Sequence, residues 1–463
     1  MATTYIYRNA SSSVTSDTTF TFSMWFKRGK VGTNETLFCH ENESSHTQKL
    51  DLHLVDDQFR MGWYNGSSEF NLDTKMVFRD PNAWYHLVFR YDTTQSTASD
   101  RVRIYVNGVL QELETISGGD PTSQYPSQNI TLNLGQKKMV YGRYQAASPS
   151  RYWCGSMSHL IHCDGQSYAP TEFGETDTTT GEWRIKDLSA SDLTWGTNGH
   201  WLLKDGTSVT DASSNSNDFT VSGTLTKTED CPSNVFATWN PLDRWVGGTF
   251  TGTNGNTTVR GSDSHNTRFG CTLAVTSGKY YWEVKAMGSV SHGGTGVGIA
   301  SIPDTHTNSS SWFGNSSYAL IFQTYQHSSN IVKMYVGGNT DNYTGNISVG
   351  DIVNFALDMD NSAFYVGING SWINSGNPTS GSSKTGAVNT GTNANSFFGN
   401  MSGKTIMPVG NVQNTDYIQS NFGNGYFGST QISSAGTNAS GLGIFEYDVP
   451  SGYTALCTKG LNE

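Results

Sequence analysis

Hydrophobic and polar residues alternate along this chain with a period of two. In "TFTFSMWFKRG" the side chains of Phe20, Phe22, Met24 and Phe26 fall on one face, as in a strand with one side buried. The rhythm returns in "LDLHLV", "FRMGWY", "WYHLVFRYD", "VRIYVNG", "ITLNLG" and "MSHLIHCDG", at the spacing of an antiparallel sandwich or barrel. After "NPLDRW" it resumes with "KYYWEVKAMG", "GTGVGIAS", "SYALIFQ", "IVKMYVGG", "DIVNFALDMD", "AFYVGING", "KTIMPVGNV" and "YIQSNFG". No segment holds a helical period beyond a turn or two. The pattern predicts an all-β chain of two tandem antiparallel β-sandwiches.

Two stretches predict hairpins of one kind. In "RVRIYVNGV" the Asn107-Gly108 step, and in "AFYVGINGSW" the Asn369-Gly370 step, lie between alternating hydrophobic residues, where both turn residues can take φ > 0 in a type I′ turn. The first hairpin is expected to return through "LQELE". Shared turn chemistry accounts for the likeness without requiring duplication. Between the two sets of strands, "GTNGHWLL" reads as one more strand, and "DGTSVTDASSNSNDFTVSGT" as a polar, turn-rich stretch. Residues 189–235 are accordingly expected to supply a closing strand and a connector.

Length and composition narrow the function. The 463 residues suffice for two or three domains with substantial cores. Charged residues are only 14%, against about 25% in ordinary soluble domains, while 51 glycines and 12% aromatics suit short strands and many turns. A net charge of -11 argues against nucleic acid and anionic membrane surfaces as partners. The start, "MATTYIYRNASSSVTSDTTFTF", has no basic n-region or unbroken apolar h-region, and no apolar run approaches the roughly 20 residues of a membrane span. Cytoplasmic synthesis without membrane insertion is expected. Six scattered cysteines form no CxxC pair, so buried thiols are expected and a disulfide framework or zinc site is not.

Two sets of residues then resemble known families. "AWYHLVFRYDTTQSTASDRVRIYVNGV", with Trp84, His86, Asp92, Arg101 or Arg103, Tyr105, Asn107 and Gly108, resembles the laminin-G/concanavalin A-like lectin jelly roll over residues 1–188. "SGKYYWEVKA", "GVGIAS", "NFALDMDNSAFYVGINGSW", "MPVGNV" and "NFG" resemble the SPRY sandwich over residues 236–463. Its strong first strand carries Gly278, Tyr281, Trp282 and Glu283. One departure is visible: the family commonly sets Phe-Tyr and Asn-Gly closer together, so the extra residues of "FYVGINGSW" imply a longer or bulged hairpin.

The connecting phrases "CDGQSYAPTEFGETDTTTGEWRIK", "GTNGHWLL", "DASSNSNDFTVSGT", "NVFATWNPLD" and "YDVPSGYTALCTKGLNE" are similar to those of virion structural proteins of tailed phages, marine ones notably, in which a laminin-G-like module precedes a SPRY-like one. That resemblance implies a virion-surface component synthesised in the host cytoplasm: tail fibre, capsid fibre or capsid decoration. It implies no catalysis, other virion proteins as partners and host surface glycan as a candidate ligand for host attachment. Homo-oligomeric assembly follows from the symmetry of virion appendages, a trimer where the appendage is a fibre. Because the first sandwich starts almost at once, a compact decoration, a fibre-tip subunit or an appendage component is favoured.

Candidate chemistry separates this reading from two alternatives. A glycan-active hydrolase of lectin/glucanase fold needs paired carboxylates on one strand face. No E-x-D-x-E run exists, and the nearest cluster, Glu172, Glu175 and Asp177, lies in a Gly-containing loop. A SPRY-type protein-binding adaptor would place a pocket in the loops between Gly296 and Tyr325. In "HLIHC", alternation sets His159 and Cys163 on one face and His162 on the other, against a metal cluster. No cofactor is required. Calcium is the one the lectin resemblance allows, with Asp92, Asp100 and Asn107 near its hairpin as ligands. Aromatics beside turns, namely Trp63, Tyr64, Trp312, Phe313 and Trp372, are the candidate sugar-stacking platforms. Trp84, Trp282, Phe355 and Phe364 are expected in the cores.

Overall fold

The computed structural model describes residues 3–11, 13–41, 49–64, 69–132, 135, 137–144, 150–244, 250–261, 266–287, 295–302, 315–324, 330–413 and 416–462. They form two compact units, Met1–Lys227 and Thr228–Glu463. Residues 189–227 therefore belong with the first unit and 228–235 with the second.

Eleven strands frame the first unit: β1 (Tyr5–Asn9), β2 (Thr19–Arg28), β3 (Glu35–Glu41), β4 (Lys49–Val55), β5 (Gln58–Tyr64), β6 (Glu69–Val77), β7 (Trp84–Asp92), β8 (Val102–Val106), β9 (Val109–Leu110), β10 (Lys138–Tyr141) and β11 (Gly155–Asp164). One sheet runs β6-β5-β4-β3-β10-β1 and the other β11-β2-β7-β8-β9, with short strands added at the edges. The inward residues of β2 predicted above, Phe20, Phe22, Met24 and Phe26, sit in one core with Leu50, Leu52 and Leu54 of β4. The outer side of β2 is buried as well. A second apolar cluster, built on Val88, Ile161, Cys163, Trp195 and Trp201, covers that face of its sheet. That cover explains why the polar 189–227 stretch folds with the first unit. Asp211 orders it, its carboxylate accepting from the backbone N–H groups of Trp201, Ser213 and Asn217, each at 2.8 Å.

The second unit has the equivalent strands β12 (Thr267–Cys271), β13 (Lys279–Ala286), β14 (Gly296–Ile302), β15 (Ala319–Gln323), β16 (Ile331–Val336), β17 (Asn339–Thr344), β18 (Ile352–Asp358), β19 (Ala363–Ile368), β20 (Ser371–Trp372), β21 (Thr405–Val412) and β22 (Tyr417–Asn421). Its sheets run β17-β16-β15-β14-β21-β12 and β22-β13-β18-β19-β20. Adding eleven to each strand number of the first unit reproduces both orders. The two sandwiches therefore share one topology. The two Asn-Gly hairpins occupy the same place in it, a relation that turn chemistry alone does not require.

Their local geometry also matches. Asn107 and Asn369 have φ of 48° and 49°, and the glycine after each has φ of 79°. Each asparagine exchanges two bonds with the strand opposite: Asn107 N–H with the His86 carbonyl (2.9 Å) and His86 N–H with Asn107 Oδ1 (2.8 Å), then Asn369 with Ile352 at 2.8 and 2.9 Å. The β19–β20 hairpin is a regular two-residue turn, pairing Ile368 with Ser371 and Gly367 with Trp372. Of the two forms expected from "FYVGINGSW", the hairpin is the longer one and carries no bulge, because the extra residues lengthen strand β19 and leave the turn unchanged.

Trp282, Phe355 and Phe364 are buried in the second core, with Phe355 stacked 5.3 Å from Trp282 and 5.8 Å from Phe364. Trp84 is buried in the first unit. Beside the second core, the Glu283 carboxylate accepts from Tyr281 Oη (2.9 Å), Asn421 Nδ2 (3.2 Å) and the N–H groups of Glu446 and Tyr447 (2.9 Å each), fixing the C-terminal segment to β13. Strand placement departs at "LQELE", where Leu110 returns along β8 but Leu113 and Glu114 pair with β6 of the other sheet, and at "ITLNLG". Its described residues 130–132 carry no strand; Leu132 buries its side chain in the core from a loop, and the sheet strand is Lys138–Tyr141 instead. Among the described residues the one α-helix is Asn395–Phe398, and none is long and apolar enough to cross a membrane. No disulfide is formed among the described residues, and Cys39, Cys163, Cys271 and Cys457 are buried.

Candidate functional site

The Asn107-Gly108 turn places an imidazole between two indoles. His86 on β7 stacks on Trp25 of β2 at 4.7 Å and on Trp183 at 5.9 Å. Gly108 is needed there: at its φ of 79° a Cβ would lie 2.6 Å from the Trp183 ring. His86 Nε2 lies 2.8 Å from Ser23 Oγ, a serine–histidine contact that invites a nucleophile reading. The tautomer rules that chemistry out. Trp183 Nε1 can only donate, and it does so to His86 Nδ1 at 2.8 Å. The ring proton therefore sits on Nε2 and is donated to Ser23, leaving no base for the hydroxyl. Burial also pushes His86 down to about 3.

The calcium ligands proposed from sequence do not converge. Asn107 ends β8 opposite His86, whereas Asp92 lies at the other end of the hairpin beside Arg101. The five residues of β8 separate them by about 17 Å at 3.4 Å per residue. Asn107 Oδ1 is occupied by the His86 N–H. Asp92 accepts from the N–H and hydroxyl of Thr94 and from Gln95, bonds that hold its carboxyl low although burial opposes them. Asp100 pairs with Arg103 at 2.6 Å. Among the described residues no three metal-ligating side chains come together.

The aromatic platforms separate by strand alternation. Trp63 points inward, 1% exposed and stacked on Phe70 at 4.7 Å. It is a core residue and offers no face to a sugar, which corrects the platform assignment. Tyr64, next along the strand, faces the other side and is half-buried, opposite Lys49. Trp372 on β20 is half-buried against Tyr281 and Tyr365 at 6.4 and 6.5 Å. Trp312 and Phe313 lie outside the described residues, as does much of the 296–325 loop region.

The remaining clusters are structural. Arg184 binds Glu175 at 2.9 Å and Asp177 at 2.8 Å across a short hairpin, so that acidic group is spent on ion pairs. His162 stacks on Phe22 at 4.3 Å and lies 5.4 Å from His200 in the interior, while Cys163 faces the outer cluster with Trp201. A cavity of about 10 Å³ between His40, His162, Asp164 and Asn198 has room for about one water.

An open groove of about 290 Å³ lies on the first unit, where the rim of one sheet at β6 meets the rim of the other at β8. Lys75, Asp100, Arg103, Leu110, Glu112 and Tyr125 line it. Lys75 pairs with Glu112 at 3.0 Å, and Arg103 with Asp100 at 2.6 Å. Sequence reading placed Asp100 and Arg103 near this hairpin without joining them to Lys75 and Tyr125. The available signal was the polar return "LQELE" after the turn, whose residues pair with β6.

Residues 2–160 match the concanavalin A-like lectin/glucanases superfamily (laminin G). The match covers about a third of the chain and lies within the first unit. None of the curated protein sequences is significantly similar to the chain. Among solved structures, the chain is similar to the SPRY domain of human HERC1 at 16% identity, over 39% of this chain and 96% of that one, with a TM-score of 0.29. The TRIM65 PSpry domain follows at 10% identity, 40% and 88% coverage and a TM-score of 0.27. The heptameric SAP-like pentraxin of Limulus polyphemus gives 14% identity, 36% and 72% coverage and a TM-score of 0.26. Scores this low carry no functional weight. The similarity of residues 2–160 to lectins and glucanases is compatible with a binding role.

Proposed function

We propose that the chain is a non-enzymatic binding protein whose first unit engages a glycan, and that it serves on a phage virion surface as a fibre or decoration component. The observation that carries the binding reading is the groove between β6 and β8 on a unit of lectin/glucanase type. Both carboxylates in the groove are held in ion pairs, whereas glycoside hydrolysis needs one carboxyl kept protonated beside a second. The described carboxyls that burial pushes upward, Glu35, Asp51 and Glu283, are interior. Binding without turnover is the better fit. The virion assignment, the homo-oligomeric state and the other virion proteins as partners rest on the sequence phrases.

Mass spectrometry of purified particles tests the location: the chain should be present in them, and its absence would remove the virion assignment. Reducing-end assays on laminarin, agar and host polysaccharide should show no product. Turnover there would favour the hydrolase instead.

A further inference from the structure

We infer that the groove between β6 and β8 binds a neutral glycan through one or two of its sugar rings. The inference rests on the glycan-binding reading above and adds a site and a ligand class. Its basis is charge balance. The groove carries two cations and two anions, each cation matched by a carboxylate within 3.0 Å: Arg103 with Asp100 and Lys75 with Glu112. A sulfated or uronic-acid chain entering it would gain nothing from Lys75 and Arg103 that Asp100 and Glu112 do not cancel. A cationic ligand faces the converse.

The same pairs suit hydroxyl groups. Each carboxylate keeps lone pairs beyond those its partner uses, and the guanidinium of Arg103 keeps N–H donors beyond the one on Asp100. A sugar hydroxyl, which both donates and accepts, can use both kinds of site at once. The Arg103–Asp100 pair, about two-thirds buried, also holds its groups in place before the ligand arrives, lowering the ordering cost of binding.

Beside the polar Ser99 and Gln111, the apolar part of the lining is Val102, Leu110, Leu113 and Tyr125. Leu110 is 52% exposed on the return strand of the hairpin, and Tyr125 presents a half-buried ring backed by the core. An aromatic ring with a polar tip can cover the C–H face of a pyranose while its hydroxyl reaches a partner. Volume sets the size of the ligand. Small-molecule pockets span about 300–1,000 Å³, and 290 Å³ lies at the lower limit, room for one or two rings of a longer chain.

The test uses the full-length protein on an array of neutral hexose oligosaccharides, sulfated glycans and uronic-acid glycans, followed by titration calorimetry with the best neutral oligosaccharide. Arg103→Ala removes the fork, and Tyr125→Leu removes the ring while keeping apolar volume against the core. Leu110→Ser, at an exposed position, is a third variant that leaves folding untouched. Each should weaken neutral-glycan binding about tenfold or more, with thermal unfolding of Leu110→Ser unchanged. Val349→Ser, at an exposed position of the second unit, should bind as wild type, and raising the salt should leave affinity within twofold. Neutral-glycan binding that survives all three groove variants overturns the site and leaves the glycan reading standing. Binding confined to anionic glycans and lost with salt overturns the ligand class alone. No glycan binding by the folded protein overturns both.

Discussion

Lowering the pH from 7.5 to 5 should unfold the first unit ahead of the second. The first unit encloses imidazoles that burial holds neutral: His53 and His86 are pushed down to about 3 and His159 to about 4, with His40, His162 and His200 moved in the same direction. A histidine lowered on folding contributes stability that is complete above its unfolded value of about 6.5 and is lost as pH falls through the window below it. At pH 5 each of the first three costs on the order of 2 kcal/mol, together about 6 kcal/mol. Glu35 works the other way. Burial raises its carboxyl to about 7, so its penalty is largest at high pH, and acidification returns about 2–3 kcal/mol. Asp51 is shifted in the same sense as Glu35.

The net loss is about 3–4 kcal/mol before His40, His162 and His200 are added, a large part of a domain stability of about 5–15 kcal/mol. The second unit moves oppositely, since Glu283 is raised to about 7 and is relieved by acid. Calorimetry across pH 7.5 to 5, with hydrogen-exchange mass spectrometry assigning each transition to residues 1–227 or 228–463, measures both. A first-unit midpoint that stays level over this range, or a second unit that melts first on acidification, would refute the reasoning.

Three further outcomes follow from particular contacts. Glu283→Gln turns an amide N–H₂ toward two of the four donors in either orientation and should cost about 1–3 kcal/mol, with faster exchange at residues 444–447; unchanged exchange there would mean that Glu283 does not anchor the segment. Gly108→Ala and Gly370→Ala should each destabilise their own unit by about 1–3 kcal/mol, because each added Cβ falls 2.6 Å from a ring, Trp183 or Tyr447, at a positive φ. Urea unfolding that shows a loss in one unit and none in the other would break the equivalence of the two hairpins. Trp63→Ala should cost about 3–5 kcal/mol as a core cavity and leave glycan affinity of the folded fraction intact; a selective loss of binding would return Trp63 to the surface.

Alternation and turn chemistry made much of the fold legible in the sequence. Period-two runs placed nearly every strand, because a side-chain period of two is a local property of the backbone. The Asn-Gly steps set both hairpins, since few residue pairs accept φ > 0 twice in succession. The separation of His162 from His159 and Cys163 also followed from alternation alone, and the absence of a paired-carboxylate run was visible directly.

What tertiary structure decided was which residues from distant strands share a space. Alternation puts Trp63 and Tyr64 on opposite faces, but only sheet pairing and the cover above each face show that Trp63 is inside. Asp92, Asp100 and Asn107 look adjacent in sequence, yet the length of β8 holds the first and last apart. The shared topology of the two units, the neutral imidazoles and the groove joining Lys75 to Arg103 all depend on long-range pairing between strands. Local sequence sets strand direction and turns, whereas the partners each strand meets are set by packing the two sheets around one core.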